Sequence, residues 1–129
     1  MRIISLAALT VLDLGPVGQI EAARAAGFDH VGLRLQPLVA GDRRVVGDPA
    51  AEAAVVEALA DSGLRALEIG VFPIGRAPVE AWAPTLAFAQ RIGARQVVCP
   101  VEDDDSARRV AALRALCARA ADHGLDALI

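Results

Sequence analysis

The chain repeats one arrangement four times: an alanine-rich run ends at a glycine, and a run of apolar residues begins a few positions later. The clearest copy is residues 21–35, in which the alanines stop at Gly27 and the apolar run follows. The other copies end their alanine-rich runs at Gly63, Gly93 and Gly124, and successive glycines are 30 to 36 residues apart. Glycine suits the left-handed residue just after a helix because it has no Cβ. The pattern therefore predicts successive βα units.

Continuous apolar runs predict five buried parallel strands. They are residues 3–10, 30–35, 64–72 and 95–101, and a fifth strand that starts at Leu125. Apolar residues three and four positions apart predict the buried stripes of four helices between these strands. The stripes are Val17, Ile20, Ala23 and Ala26; Val55, Val56, Leu59 and Ala60; Val79, Trp82, Leu86 and Ala89; and Val110, Leu113, Leu116, Cys117 and Ala120. We expect residues 1–129 to form a single domain.

Two α/β architectures accommodate five parallel strands and four helices. One is an open, doubly wound sheet of the flavodoxin type, which would be complete at 129 residues. The other is the N-terminal half of a TIM barrel, about four and a half βα units with strand order 1-2-3-4-5, because a complete barrel needs about 200 residues or more. The first βα turn lacks a GxGxxG phosphate loop, and no helix follows the fifth strand. Both features favour the partial barrel.

Composition excludes several classes of function. Hydrophobic residues make up 55% of the chain, which indicates a globular protein with a large interior. The net charge of −3 argues against a nucleic-acid partner, and no stretch is long enough to span a membrane. There is no lysine, so Schiff-base and P-loop lysines are excluded. Cys99 and Cys117 lack CxxC spacing and are expected to be reduced, buried thiols of a cytoplasmic protein.

Four segments resemble the N-terminal half of xylose isomerase-like TIM barrels, the sugar phosphate isomerase/epimerase proteins. They are residues 4–9, 25–34, 67–69 and 91–98. The resemblance implies a sugar or sugar-phosphate substrate and a divalent metal (Mn, Mg, Co or Zn) held by carboxylates and a histidine from strands five to eight. The first of these ligands is a glutamate that ends strand five, and this sequence stops where it would follow. We therefore expect the metal ligands and the acid/base glutamates to lie outside residues 1–129, so that this chain alone binds no metal and is inactive.

Barrel enzymes bind substrate at the carboxyl ends of their strands. The polar and aromatic residues predicted there are Thr10, Arg34, Glu68, Phe72 and Glu102, and of these the last four are the candidate substrate-binding residues. Arg34 either clamps a carboxylate or phosphate through its planar guanidinium or forms an ion pair with Glu68. Glu68 is expected to have a partner, because an unpaired charge in an apolar strand is costly. Its pairing with Arg34 is favoured over a role in proton transfer.

Other polar residues have simpler structural interpretations. The acidic run 102–105 precedes a helix, where carboxylates cap free N–H groups, and this interpretation is favoured over a Mg²⁺ cluster. His30 and His123 are expected to be structural and not metal ligands. The pair Arg43-Arg44, in the longest loop, is interpreted as solvated, with anion binding as the alternative.

Three hypotheses for function follow. The first is the N-terminal half of a metal-dependent isomerase or epimerase barrel. The second is a half-barrel interaction module completed by a second copy or by a partner chain, because its edge strands would expose apolar faces. The third is a small flavodoxin-like binding domain.

Overall fold

Five parallel strands form a single sheet, and their order in the sheet is their order in the chain. The computed structural model describes residues 2–129. The strands are β1 (Ser5–Leu6), β2 (His30–Arg34), β3 (Arg65–Gly70), β4 (Gln96–Val98) and β5 (Asp126–Leu128). The helices are α1 (Pro16–Ala25), α2 (Pro49–Ser62), α3 (Ala83–Arg91) and α4 (Ser106–Asp122), with short 3₁₀ turns at Ala8–Val11 and Val79–Trp82. Within residues 2–129 none of the helices combines the length and the hydropathy that crossing a bilayer requires.

The strand order decides between the two architectures. A doubly wound flavodoxin-like sheet has the order 2-1-3-4-5, whereas consecutive βα units of a barrel follow one another around the sheet. The observed order, β1-β2-β3-β4-β5, is that of a barrel. The fold is thus four and a half βα units of a TIM barrel, as the sequence predicts.

Each repeat turns from helix to strand at its glycine. The φ angles of Gly27, Gly63, Gly93 and Gly124 are 78°, 72°, 75° and 69°. These are left-handed conformations, in which a side chain would be strained. The predicted helix ends are confirmed.

Two helices begin at aspartates that cap them. Asp48 accepts hydrogen bonds from two backbone amides in the first turn of α2. Asp105 accepts one from the amide of Arg108, at 2.8 Å, and so caps α4. The capping interpretation of the acidic run is confirmed at Asp105. Helix α1 differs, because its N-cap is Gly15 and no side chain caps it.

One hydrophobic core fills the space between the sheet and the helices. Fully buried strand residues face it at alternate positions: Val31, Leu33, Ile69 and Val97. They pack against buried residues of the four helices, which include Ile20, Val55, Leu86 and Leu116. The stripe predicted for the third helix, from Val79 to Ala89, is buried throughout.

Five residues predicted to be in the buried stripes are exposed. They are Ala26, Val56, Ala60, Val110 and Cys117, with Val110 50% exposed. Each helix meets the sheet through a narrow stripe, so the adjacent position on the helix surface faces solvent. Helix α4 is also the last in the row and has a helical neighbour on the α3 side only. The prediction of two buried thiols is therefore wrong for Cys117, whereas Cys99 is buried and burial raises its pKa to about 12.

The strands are shorter than the apolar runs that predict them. The run at residues 3–10 gives only β1 and a 3₁₀ turn, because β1 is an edge strand that pairs only with β2. Phe72, Ile74 and Cys99 lie beyond the ends of β3 and β4 but are fully buried. An apolar run in the sequence thus predicts which residues are buried. The strand itself ends earlier, where its backbone separates from that of the neighbouring strand.

The face of the sheet opposite the helices, here called the inner face, carries a polar row. Side chains at paired positions of a parallel sheet point to the same side. The register pairs Ser5 with His30, and it pairs Gln96 with both Glu68 and Asp126. The inner face therefore presents polar groups from all five strands.

Candidate functional site

The carboxylate of Glu68 lies at the centre of the inner face. It extends from β3 across β2, over Gly32, and its Oε2 accepts a hydrogen bond from Ser5 Oγ on β1 at 3.4 Å. A Cβ on Gly32 would lie 2.7 Å from the carboxyl carbon of Glu68. The absence of a side chain at residue 32 is what allows Glu68 to cross the strand.

Burial raises the pKa of Glu68. The partly buried carboxylate loses hydration, which favours its protonated form, and the hydrogen bond from Ser5 only partly opposes this effect. A protonated carboxyl donates one hydrogen bond and accepts others, so Glu68 can meet either a hydroxyl or a carbonyl oxygen.

His30 stands at the start of β2 beside this carboxyl. Its side chain is buried, and its Nδ1 has no hydrogen-bond partner within residues 2–129. The charge of His30 opposes the rise in the Glu68 pKa. The buried His30 is therefore close enough to the partly buried Glu68 to influence its carboxyl group electrostatically.

Arg34 forms its ion pair with Asp42 and not with Glu68. The Nη1–Oδ2 distance is 3.6 Å, and both side chains are largely buried. Asp42 also accepts hydrogen bonds from the amides of Leu38 and Val39, and these bonds lower its pKa together with the Arg34 charge. The predicted Arg34–Glu68 pair is wrong. In the ladder Arg34 pairs with Gly70, and a register shift between Val31 and Leu33 places Glu68 deeper in the sheet.

Glu102 is bound by Arg76, whose side chain joins three loops at the carboxyl ends of the strands. It accepts two hydrogen bonds from the Arg76 guanidinium, at 3.0 and 3.1 Å, and Arg76 also donates to the carbonyl of Leu38 at 3.3 Å. The loops after β2, β3 and β4 are therefore joined through one side chain. Both charged groups are roughly half exposed, and they remain accessible to a ligand.

Phe72 and Thr10 occupy opposite environments at the same end of the sheet. The ring of Phe72 is fully buried and packs edge-on against Trp82, with centroids 5.4 Å apart. Thr10 is exposed in the 3₁₀ turn after β1. Of the residues predicted at this rim, Glu102 is exposed, Arg34 and Glu68 are partly buried, and Phe72 is fully buried.

The acidic run after β4 is held by an arginine. Asp103 accepts two hydrogen bonds from the Arg108 guanidinium, at 3.0 and 2.9 Å, and these hold its pKa at about 2. Within residues 2–129 no three histidine, cysteine or acidic side chains lie close enough to hold a metal ion. The described residues therefore do not fit a metal by themselves.

Three residues of the site were not predicted from the sequence. Gly32 had a signal, because a glycine inside an apolar strand marks a close approach of another group. Asp42 and Arg76 had none, since each meets its partner only after the loops fold across the sheet.

The sequence matches no protein-family model, and it matches no curated protein. The fold matches solved structures. The chain is 19% identical to a xylose isomerase domain protein from Alicyclobacillus acidocaldarius, with a TM-score of 0.70, and the match covers 97% of this chain and 48% of that one. It is 22% identical to the D-allulose 3-epimerase from Methylomonas sp., with a TM-score of 0.66, and the match covers 98% of this chain and 50% of that one. It is 13% identical to the IOLI protein, whose structure is described with a bound zinc atom. The TM-score of that match is 0.68, and the match covers 98% of this chain and 50% of that one.

The chain spans about half the length of these structures. At such identities the likeness concerns the fold. Residues 2–129 have the fold of the N-terminal half of xylose isomerase-like TIM barrels.

Proposed function

We propose that this chain forms the N-terminal half of a sugar or sugar-phosphate isomerase/epimerase-like barrel and supplies one wall of its substrate site. The observation that carries the proposal is a match over almost the whole chain to half of several barrels, of which two are D-allulose and D-psicose 3-epimerases. The polar inner face supports it, since barrel enzymes bind substrate at the carboxyl ends of their strands.

In this proposal the wall binds hydroxyl and carbonyl groups. Glu68 presents a carboxyl group of raised pKa at the centre of the inner face. Arg34 and Glu102 lie at the rim, each held by a partner of opposite charge, and offer fixed hydrogen-bonding groups to a substrate. Phe72 backs the rim with its buried ring, so it would shape the wall without presenting a polar group.

A divalent metal belongs to the proposed complete site. When bound, such a metal polarises substrate oxygens. The acidic and histidine side chains of residues 2–129 do not assemble into a metal site, so we assign no metal ligand and no catalytic residue to this chain. The role proposed for these residues is to bind and orient the substrate. Two free thiols support a reducing compartment, and we place the protein in the cytoplasm on that ground.

A second function has its own supporting observation. The edge strands β1 and β5 carry exposed apolar residues at or beside them: Ile3, Ile4, Leu128 and Ile129. Exposed edges and apolar residues favour association. In this alternative a second copy or a partner chain completes the barrel, and the molecular mass in sedimentation equilibrium decides whether the purified chain self-associates.

The test of the main proposal is an NMR titration of the ¹⁵N-labelled chain with D-allulose. We expect amide shifts at Gly32, Arg34 and Gly70, on the inner face. Glu68→Gln should weaken binding by about fivefold, the equivalent of one hydrogen bond. The matched control is Glu57→Gln, an exposed glutamate of α2, which should bind like the parent chain. The proposal is overturned if the sugar shifts none of these amides, or if the two variants bind equally well.

A further inference from the structure

A cleft of about 260 Å³ lies between the loops that follow β2 and β3. Leu38 lines it on the β2 side and Ala77 on the β3 side. The buried residues Pro73 and Trp82 also line the cleft and form its floor. None of the residues proposed as the substrate wall lines it, so the cleft is separate from the inner face.

The walls and the floor of this cleft are held in place by side-chain contacts. Arg76 donates from its Nη1 to the carbonyl of Leu38 at 3.3 Å, and this hydrogen bond joins the loop after β3 to the loop after β2. On the floor, Trp82 packs edge-on against the buried ring of Phe72. A ligand would therefore meet a cleft that is already formed, which reduces the ordering cost of binding.

The charged groups that line the cleft are both arginines. Arg44 lies on the β2 side and Arg76 on the β3 side, and within residues 2–129 no acidic side chain lines the cleft. Arg76 is neutralised by Glu102, whereas none of the ion pairs in the described part of the chain includes Arg44. Arg44 therefore offers the cleft an unpaired planar guanidinium, whose N–H groups match the two oxygens of a carboxylate.

The rest of the lining is mainly apolar. Val71, Ala77 and Ala81 line the cleft above its floor of Pro73 and Trp82. A sugar would leave most of its hydroxyls against these side chains without partners, whereas an apolar body would bury its surface favourably. Pockets for drug-sized ligands occupy about 300–1,000 Å³, so the volume of this cleft suits a smaller molecule.

We propose that this cleft binds a small monocarboxylate with an apolar body, of about the size of benzoate. Its carboxylate pairs with Arg44 and its body lies against Trp82. The inference is independent of the proposed function, since it uses neither the inner face nor a metal. Either proposal can fail while the other holds, because the sugar titration follows Gly32 and Gly70 and the present test follows Trp82.

The test is an NMR titration of the ¹⁵N-labelled chain with benzoate, benzyl alcohol and acetate. Trp82 is the only tryptophan, so its indole N–H gives a single signal. We expect benzoate to shift this signal and the amides of Leu38 and Ala77. Benzyl alcohol should bind about fivefold more weakly because it has no charge, and acetate about tenfold more weakly because it has no ring.

Arg44→Gln separates the charge from the apolar contact. It should weaken the binding of benzoate about fivefold, as expected for an ion pair near the surface, and leave benzyl alcohol unaffected. Arg114→Gln is the matched control, since Arg114 is an exposed arginine of α4, and it should bind benzoate like the parent chain. The proposal is overturned if benzoate shifts none of these signals, if benzyl alcohol or acetate binds as tightly, or if the two arginine variants bind benzoate equally well.

Ala81→Leu tests the location of the ligand without changing a charge. Ala81 is exposed and lines the cleft, so a larger side chain can occupy the cleft without disturbing the core. The binding of benzoate should fall about tenfold, because the new side chain takes the place of the ring. An unchanged affinity would place benzoate elsewhere on the chain and overturn the proposal.

Discussion

The Glu68 carboxyl group lies over Gly32, so close that a side chain at residue 32 would overlap it. The two residues are on neighbouring strands, and the absence of a side chain at residue 32 lets Glu68 reach Ser5 on the strand beyond. Because Gly32 has no Cβ, the Glu68 carboxyl group can link three strands of the inner face.

A double-mutant cycle measures this relationship. Gly32→Ala alone should destabilise the fold by about 1–3 kcal/mol, because the new methyl group displaces the Glu68 carboxylate. In the Glu68→Ala background the same change should be neutral or stabilising by up to about 1 kcal/mol, since alanine costs less backbone entropy than glycine in a strand. Urea unfolding of the four proteins gives both values. Equal effects of Gly32→Ala in the two backgrounds would contradict the contact.

The pH dependence of stability tests the environment of Glu68. Its pKa is raised in the folded chain, so its contribution to stability is fully present below the usual glutamate pKa and is lost as the pH rises through the folded value. Glu68→Gln removes this titration. The variant should therefore gain stability relative to the parent as the pH rises from about 4 to about 7. Thermal unfolding of both proteins across this pH range measures the difference in stability. A stability gain of Glu68→Gln that is larger at low pH than at neutral pH would refute the raised pKa of Glu68.

Asp103 should show the opposite pH dependence. The hydrogen bonds from Arg108 hold its pKa at about 2, so its contribution to stability is present above the usual aspartate pKa and is lost as the pH falls toward about 2. Asp103→Asn should be less stable than the parent at neutral pH, and the difference should vanish near pH 2. The matched control is Asp104→Asn, an exposed neighbour, for which no such difference is expected.

The buried aromatic pair provides a stability test with its own optical signal. Phe72→Ala should cost about 3–5 kcal/mol, because the ring is fully buried against Trp82. Trp82 is the only tryptophan, so its fluorescence follows unfolding directly. Phe28→Ala, at a partly buried position, is the control and should cost less. Equal losses in the two variants would show that Phe72 is not the better-packed ring.

The repeating elements were predictable from the sequence because they depend on local rules. Gly63 and Gly93 end helices in left-handed conformations, and Trp82 lies in the buried stripe predicted for it. Such features depend on the covalent geometry of glycine and on helical spacing, both of which the sequence displays.

The partners of charged residues were not predictable, because they depend on long-range register. A shift in the pairing of β2 with β3 moves Glu68 away from Arg34 and over Gly32. Arg34 then pairs with Asp42, whose position depends on the fold of the loop after β2. Neither the shift nor the loop conformation has a local signal in the sequence.

We propose that Glu68 is a substrate-binding carboxyl group on the inner wall of a barrel half. Its most direct test is a pH titration of the ¹³C-labelled Glu68 carboxyl, followed by NMR with and without D-allulose. We expect a pKa above the usual glutamate value in the free chain, and a further change in that pKa when the sugar is present. A Glu68 that titrates at the usual value, and identically in both samples, would contradict it.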